Sequence, residues 1–134
     1  VVVDDSIVRG NTQRAIIRML REAGAASVHV RISSPPVVWP CFYGIDFATR
    51  AELIATGLSL DEICTSIGAD SLGYVSLEGL TAATQMAEDR LCRACFDGKY
   101  PVELPAENQI GKHVLETSSA NGDADGIAHA LRLP

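Results

Sequence analysis

The sequence predicts an α/β fold, a parallel sheet with flanking helices, followed by a helical region that carries cysteines. Two observations lead there. Strand, loop, helix and strand succeed one another within the first 32 residues, and such a βαβ unit joins parallel strands because its crossover returns the chain to the same end of the sheet. Further on, two short segments each pair a Ser or Thr with a Glu three residues later and close on glycine, the pattern of capped helices.

Each element has its own local reason. Residues 1–4 are short, β-branched and apolar up to the acid, and read as a buried parallel strand. Residues 5–11 form the loop. From Thr12 to Ala23, the residues Ala15, Ile16, Met19, Leu20 and Ala23 recur on one helical face, and Gly24 is a natural stop. "SVHVRI" (27–32) alternates Val28, Val30 and Ile32 with His29 and Arg31, which suits a strand with one less buried face. "SSPPVVWPCFYG" carries three prolines and is expected to be irregular and extended. Thr49 with Glu52, and Ser59 with Glu62, cap two short helices. "DSLGYVS" holds a short strand, and Ser76 caps a helix over 77–87. Residues 1–104 are the expected folded part. Residues 105–134 read as a polar tail, rich in Asn, Gly, Asp and Ser and disordered toward its end, with one brief helical turn in "GIAHALRL".

A chain of 134 residues supports one modest core. No apolar run approaches the roughly 18 residues of a membrane span. The chain opens without Met, inside a strand, and shows no charged segment leading into an apolar one; the expectation is a piece of a longer polypeptide with no signal peptide. The net charge of −6, with scattered Lys and Arg, argues against a nucleic-acid surface, which needs clustered cations. Without secretory signs, the four cysteines point to metal or redox chemistry rather than disulfides.

The acidic pair Asp4 and Asp5 ends the first strand, where open parallel sheets bind ligands. The loop "SIVRGNT" then runs into a helix N-terminus, whose free N–H groups and dipole favour an anion. Ser6 and Thr12 add hydroxyls, Gly10 lets backbone approach a ligand, and Asn11 adds an amide. Carboxylates want ribose hydroxyls or Mg²⁺, and the loop wants a phosphate, so a phosphorylated ribose satisfies both halves. The plain alternative is that Asp5 or Ser6 merely caps the helix and Asp4 is a solvated strand end.

Cys92-x-x-Cys95 has a spacing shared by zinc, iron–sulfur and redox sites, and equally by two buried small hydrophobes. Cys41 stands in the proline-stiffened segment. Cys64 shares the inner side of its helix with Ile63 and Ile67 and reads as core. His29, His113 and His129 lack ligand-like spacing to the pair, which disfavours zinc. His29 reads as structural, Trp39 and Tyr43 as packing around Cys41, and Arg14 and Arg18 as a solvated helix face. Lys99 and Tyr100 carry no assigned chemistry.

"VVVDDSIVRGNT" resembles the phosphoribosyl diphosphate (PRPP) signature of type I phosphoribosyltransferases. "DDSIVRGNT", "RISSPPVVWPCFYGIDFATRAELIA", "IGADSLGYVSLEGL" and "CRACFDGKYPVEL" together resemble the glutamine phosphoribosylpyrophosphate amidotransferase family over residues 1–104. The resemblance implies part of a type I phosphoribosyltransferase fold. It implies that Asp4 and Asp5 bind the ribose hydroxyls and Mg²⁺, and that Ser6, Ile7, Val8, Arg9, Gly10, Asn11 and Thr12 wrap the 5′-phosphate, mainly through backbone N–H. The family often has Thr at the place of Asn11. It further implies that Cys41, Cys92 and Cys95 hold a 4Fe–4S cluster with a structural and oxygen-sensing role, its fourth ligand lying outside this chain. The implied enzyme makes 5-phosphoribosylamine, pyrophosphate and glutamate from PRPP and glutamine-derived ammonia, in the first committed step of purine synthesis. It is cytoplasmic and tetrameric, with purine nucleotides as feedback inhibitors. No catalytic nucleophile for the glutaminase reaction is recognisable here.

Two other readings use the same loop. A base-salvage phosphoribosyltransferase would not need the cysteine trio. A non-catalytic PRPP-sensing regulator would call for a basic surface, which a charge of −6 opposes.

Overall fold

The computed structural model describes residues 1–43 and 49–102. Two compact units divide the chain, Val1–Pro101 and Val102–Pro134, and every element below lies in the first. The expected tail, 105–134, with its helical turn, His113 and His129, lies outside the described residues.

Strand β1 (Val2–Asp4) pairs in parallel with β2 (His29–Ile32), and β2 in parallel with β3 (Ser71–Tyr74), in the order β1-β2-β3. The register sets Asp4 opposite Ile32, and Ile32 opposite Tyr74, so the carboxyl ends of all three strands form one line. Backbone bonds continue just past that line, from Ser33 N–H to the Asp4 carbonyl at 2.9 Å and from Val75 N–H to the Ile32 carbonyl at 3.0 Å.

Helix α1 (Asn11–Glu22) makes the first crossover. The second contains a 3₁₀ turn (Arg50–Glu52), α2 (Ile54–Gly57) and α3 (Leu60–Ile67). The expected caps are present: the N–H and hydroxyl of Thr49 donate to Glu52 Oε2 at 3.0 and 3.1 Å, and those of Ser59 donate to Glu62 Oε2 at 2.8 and 2.7 Å. Ser76 Oγ accepts from Gly79 N–H at 3.0 Å and opens α4 (Leu77–Thr84). That helix is shorter than the expected 77–87, because Gln85 turns left-handed at φ 56°. A second 3₁₀ turn (Glu88–Arg90) and α5 (Ala94–Asp97) follow.

Ile7, Ile17, Val28, Val30, Ile32, Ile63, Ile67 and Leu72 form the core. Burying each isoleucine stabilises the fold by about 1.5–3 kcal/mol. Two sequence expectations are corrected here. The buried face of α1 is Gln13 and Ile17, with Ile16 and Leu20 half-buried, while Ala15, Met19 and Ala23 are exposed. The first strand is not buried on both faces either, since Val3 is 72 % exposed. It stands at the edge of the sheet, and no described element covers that side.

Candidate functional site

The loop after β1 is anchored from below. Ile7 sinks into the core at 2 % exposure, and the Val8 carbonyl accepts from Ile54 N–H at 2.9 Å. Arg9 Nε lies 3.4 Å from Glu52 Oε1. The Thr49 bonds, and then the Arg9 charge, hold the Glu52 carboxyl below the usual range. Gly10 takes φ 77°, a left-handed conformation suited to glycine, and its carbonyl accepts the first helical bond from Arg14 N–H at 3.0 Å. A Cβ there would come within 3.1 Å of Ile54 Cδ1.

Gly10 has no side chain to cap α1, and the first turn of α1 holds no acid. The leading N–H groups are therefore left for solvent or an anion. Residues 4–13, without a gap, line one cavity of about 440 Å³. The nine sequence-predicted PRPP residues, Asp4 to Thr12, are thus brought together on one wall. Ile7 contributes backbone only, its side chain being spent in the core.

The two acids are not equivalent. Asp4 is half-buried; its Oδ1 accepts from Asp5 N–H at 3.0 Å and its Oδ2 from the Gln13 amide. Asp5 is exposed, and among the described residues only the Ser6 hydroxyl, at 3.4 Å, reaches its Oδ2. Asn11 Oδ1 accepts from Arg14 Nη1 at 2.9 Å, while Arg14 also donates to the Ser66 carbonyl at 3.0 Å and the Ser66 hydroxyl at 2.8 Å. Arg14 is therefore a brace between α1 and α3 and not simply a solvated residue. Among the described residues Arg18 reaches only Glu22, at 3.9 Å, with both side chains exposed.

Gln13 completes the cavity and was missed in the sequence. It is 2 % exposed, a polar side chain in the first turn of an apolar helix face. Its spacing of four to Ile17 sets it on the same helical face, but nothing local marks a glutamine there as buried.

The cysteines occupy a second locus. The N–H groups of Val38 and Trp39 both donate to the Cys95 carbonyl, at 3.0 and 3.1 Å, and the Tyr100 hydroxyl donates to the Pro40 carbonyl at 2.7 Å. These bonds hold the Cys41 segment against the turn that bears Cys95. Arg93, between the paired cysteines, reaches Glu88, Asp97 at 3.7 Å and the Thr81 hydroxyl at 3.2 Å. Trp39 packs against Gly98 and carries Arg50 4.0 Å above its ring, and Tyr43 meets Tyr100 edge-on at 6.1 Å.

All four cysteines are free. Burial pushes the Cys95 thiol up, and the nearby Cys41 and Cys92 add to this. Cys41 Sγ accepts from Tyr43 N–H at 3.5 Å. Soft thiol donors on two pinned segments suit a thiolate-bound group in kind. Among the described residues no group of three or more His, Cys, Asp or Glu side chains is close enough to share a single metal ion, so the three cysteines as they stand suit only a larger thiolate-bound group that spans both segments. Cys64 stands apart, packed on the core, with its thiol donating to the Ala69 carbonyl at 3.3 Å and raised by burial. His29 Nδ1 pairs with the Ser71 hydroxyl at 2.9 Å, a structural contact. No helix among the described residues is long and apolar enough to cross a membrane.

No family model matches the chain. Individual relatives do. Proteins named amidophosphoribosyltransferase from Mycobacterium bovis and Mycobacterium tuberculosis are 62% identical over 126 residues, which is 90% of this chain and 24% of each relative. Among solved structures, the glutamine PRPP amidotransferase from Bacillus subtilis, complexed with ADP and GMP, superposes with a TM-score of 0.70 at 55% identity, over 78% of this chain and 24% of that one. By sequence and by fold alike, the chain is a segment of the amidophosphoribosyltransferase family, spanning about a quarter of the length of the relatives it matches.

Proposed function

We propose that the chain supplies the PRPP-binding part of an enzyme that makes 5-phosphoribosylamine from PRPP and glutamine-derived ammonia, releasing pyrophosphate and glutamate, at the entry to purine synthesis. The observation that carries this is the unbroken lining of one cavity by residues 4–13, with carboxylates at one end and an uncapped helix start at the other. The N–H groups of residues 6–12 take the 5′-phosphate. Asp5 and the remaining lone pairs of Asp4 take the ribose hydroxyls. Asp4 and Asp5 would help hold Mg²⁺, which when bound would supply charge neutralisation for the pyrophosphate. Fixing both ends of the phosphoribosyl group orients its anomeric carbon toward the incoming ammonia, which is the main service a binding loop gives such a displacement.

Cys41, Cys92 and Cys95 are the proposed protein ligands of a 4Fe–4S cluster, with a fourth ligand from outside this chain. The cluster would clamp the two segments that carry them. The full enzyme is proposed to be a cytoplasmic tetramer that responds to purine nucleotides; the B. subtilis relative is a complex with ADP and GMP. Residues 1–104 form the catalytic-domain segment in this reading, and 105–134 a polar tail.

The test uses the full polypeptide that carries this chain, purified without oxygen. PRPP- and Mg²⁺-dependent release of glutamate from glutamine is expected, together with about four irons per chain, the stoichiometry of one such cluster. Activity with a purine or orotate base, and none with glutamine or ammonia, would favour base salvage and defeat the reading.

A further inference from the structure

Gln13 lies outside the nine residues assigned to PRPP, yet it is the most deeply buried polar side chain at the cavity. It is 2 % exposed and the one buried polar residue of the described core. Its Nε2 donates to Asp4 Oδ2, and its Oε1 is fully enclosed with no hydrogen-bond partner. The amide cannot be reversed to relieve that oxygen, since reversal would set it against a carboxylate with nothing to donate. An unsatisfied buried acceptor costs on the order of 1–3 kcal/mol. The bond to Asp4 is kept in spite of that cost.

What the bond does follows from the geometry. The Asp5 N–H, 3.0 Å away, fixes Asp4 Oδ1, and Gln13 fixes Oδ2. The Asp4 carboxylate is thereby held in one rotamer, with each oxygen keeping a lone pair for a ligand. Among the described residues Asp5 has no comparable tie. Resting on the proposed PRPP reading, we infer that Gln13 is a positioning residue for the reaction: its amide sets Asp4 in the orientation that receives the ribose hydroxyls and Mg²⁺ before the substrate arrives. Asp4 is then the preset acid and Asp5 the one that adjusts. Gln13 also joins β1 to α1 nine residues later in the chain, so the acid and the phosphate-binding helix start are held in one rigid relation. Misplacing a binding carboxylate weakens a ligand without touching contacts made elsewhere.

The test is Gln13→Met in the full polypeptide, which keeps the unbranched length and removes the amide. Gln13→Glu, which keeps the length and replaces the donor with an acceptor, serves if the first variant folds poorly. Three quantities are measured: Kd for PRPP with Mg²⁺, Kd for inorganic phosphate, and Tm. The expected result is roughly tenfold weaker PRPP binding, the effect of one lost hydrogen bond of about 1.4 kcal/mol, with phosphate binding unchanged because the loop N–H groups remain. PRPP affinity within twofold of the parent in a folded variant overturns the inference. So does an equal loss of phosphate and PRPP affinity tracking a lower Tm, which is what a purely structural role would give. A parent protein that binds phosphate but shows no preference for PRPP defeats the phosphoribosyl reading itself and removes Gln13's role with it.

Discussion

A Cβ added to Gly98 would stand 2.7 Å from Cε2 of Trp39 and 2.9 Å from its Nε1. The indole uses the space that glycine leaves, and it thereby seats the segment of Cys41 on the turn after Cys95. Gly98 also closes α5 at φ 74°, which any other residue adopts at a cost of about 1–2 kcal/mol. Gly98→Ala combines that cost with a clash against a ring held on both sides. A loss of about 3 kcal/mol in urea unfolding is expected, from the backbone cost and overpacking together. Gly57→Ala is the control, because a Cβ there meets nothing within 4 Å and should change stability by no more than about 0.5 kcal/mol.

Asp70 ties the start of the second strand to the end of α1. Its Oδ2 accepts from Val28 N–H at 2.6 Å and lies 2.5 Å from Arg21 Nη2. The Val28 bond, and then Arg21, hold its carboxyl below the usual range. A depressed folded-state pKa contributes stability that is present above the unfolded value and is lost as pH falls through the folded one. Asp70→Asn should therefore lower the urea midpoint at pH 7, and the difference from the parent should shrink as pH drops below the ordinary carboxylate range. A difference that stays constant down to pH 2 would assign the effect to packing.

The βαβ core and the loop of the site were legible because their signals are local. "VVVDD" ends a strand, Gly10 leaves room for the backbone to approach a ligand, and Ser59 with Glu62 forms a capping box. The burial of Gln13 was not legible, because its partner is a carboxylate brought in by the strand and not a neighbour on the helix. Reading only apolar residues placed the inner face of α1 on Ala15 and Met19, when Gln13 and Ile17 define it. Arg14 looked like a solvated cation for the same reason: Ser66, which takes two of its bonds, lies 52 positions away in the chain. The early stop of α4 at Gln85 carries no glycine to announce it. Burial of Val3 failed because a β-branched run states what a strand prefers and not whether anything covers it.

Cys64 separates the two cysteine classes by experiment. It packs on the core and its thiol donates to the Ala69 carbonyl, so Cys64→Ala should cost about 1 kcal/mol through a lost methyl-sized volume and leave any iron content unchanged. On the proposed cluster reading, Cys41→Ser, Cys92→Ser and Cys95→Ser should each remove most of the iron from anaerobically purified protein, since hydroxyl oxygen is a poor substitute for thiolate on a soft site. Iron lost in Cys64→Ala and retained in Cys92→Ser would reverse the assignment.

Asp4 and Asp5 are adjacent in the chain and unequal in the structure, and their substitutions should differ in kind. Asp5 is exposed and, among the described residues, meets only the Ser6 hydroxyl at a long 3.4 Å. On the proposed PRPP reading, Asp5→Ala should weaken PRPP and Mg²⁺ binding while leaving Tm within a degree or two of the parent, as surface changes usually do. Asp4→Ala removes the acceptor of a buried amide, so Gln13 would be left with both ends unpaired. That adds about 1–3 kcal/mol of destabilisation to the loss of ligand. Asp4→Ala combined with Gln13→Met should therefore recover stability without recovering PRPP binding, because the second change removes the stranded polar group and restores no carboxylate. Equal Tm in the two single variants would mean that the Asp4–Gln13 bond contributes nothing to the fold.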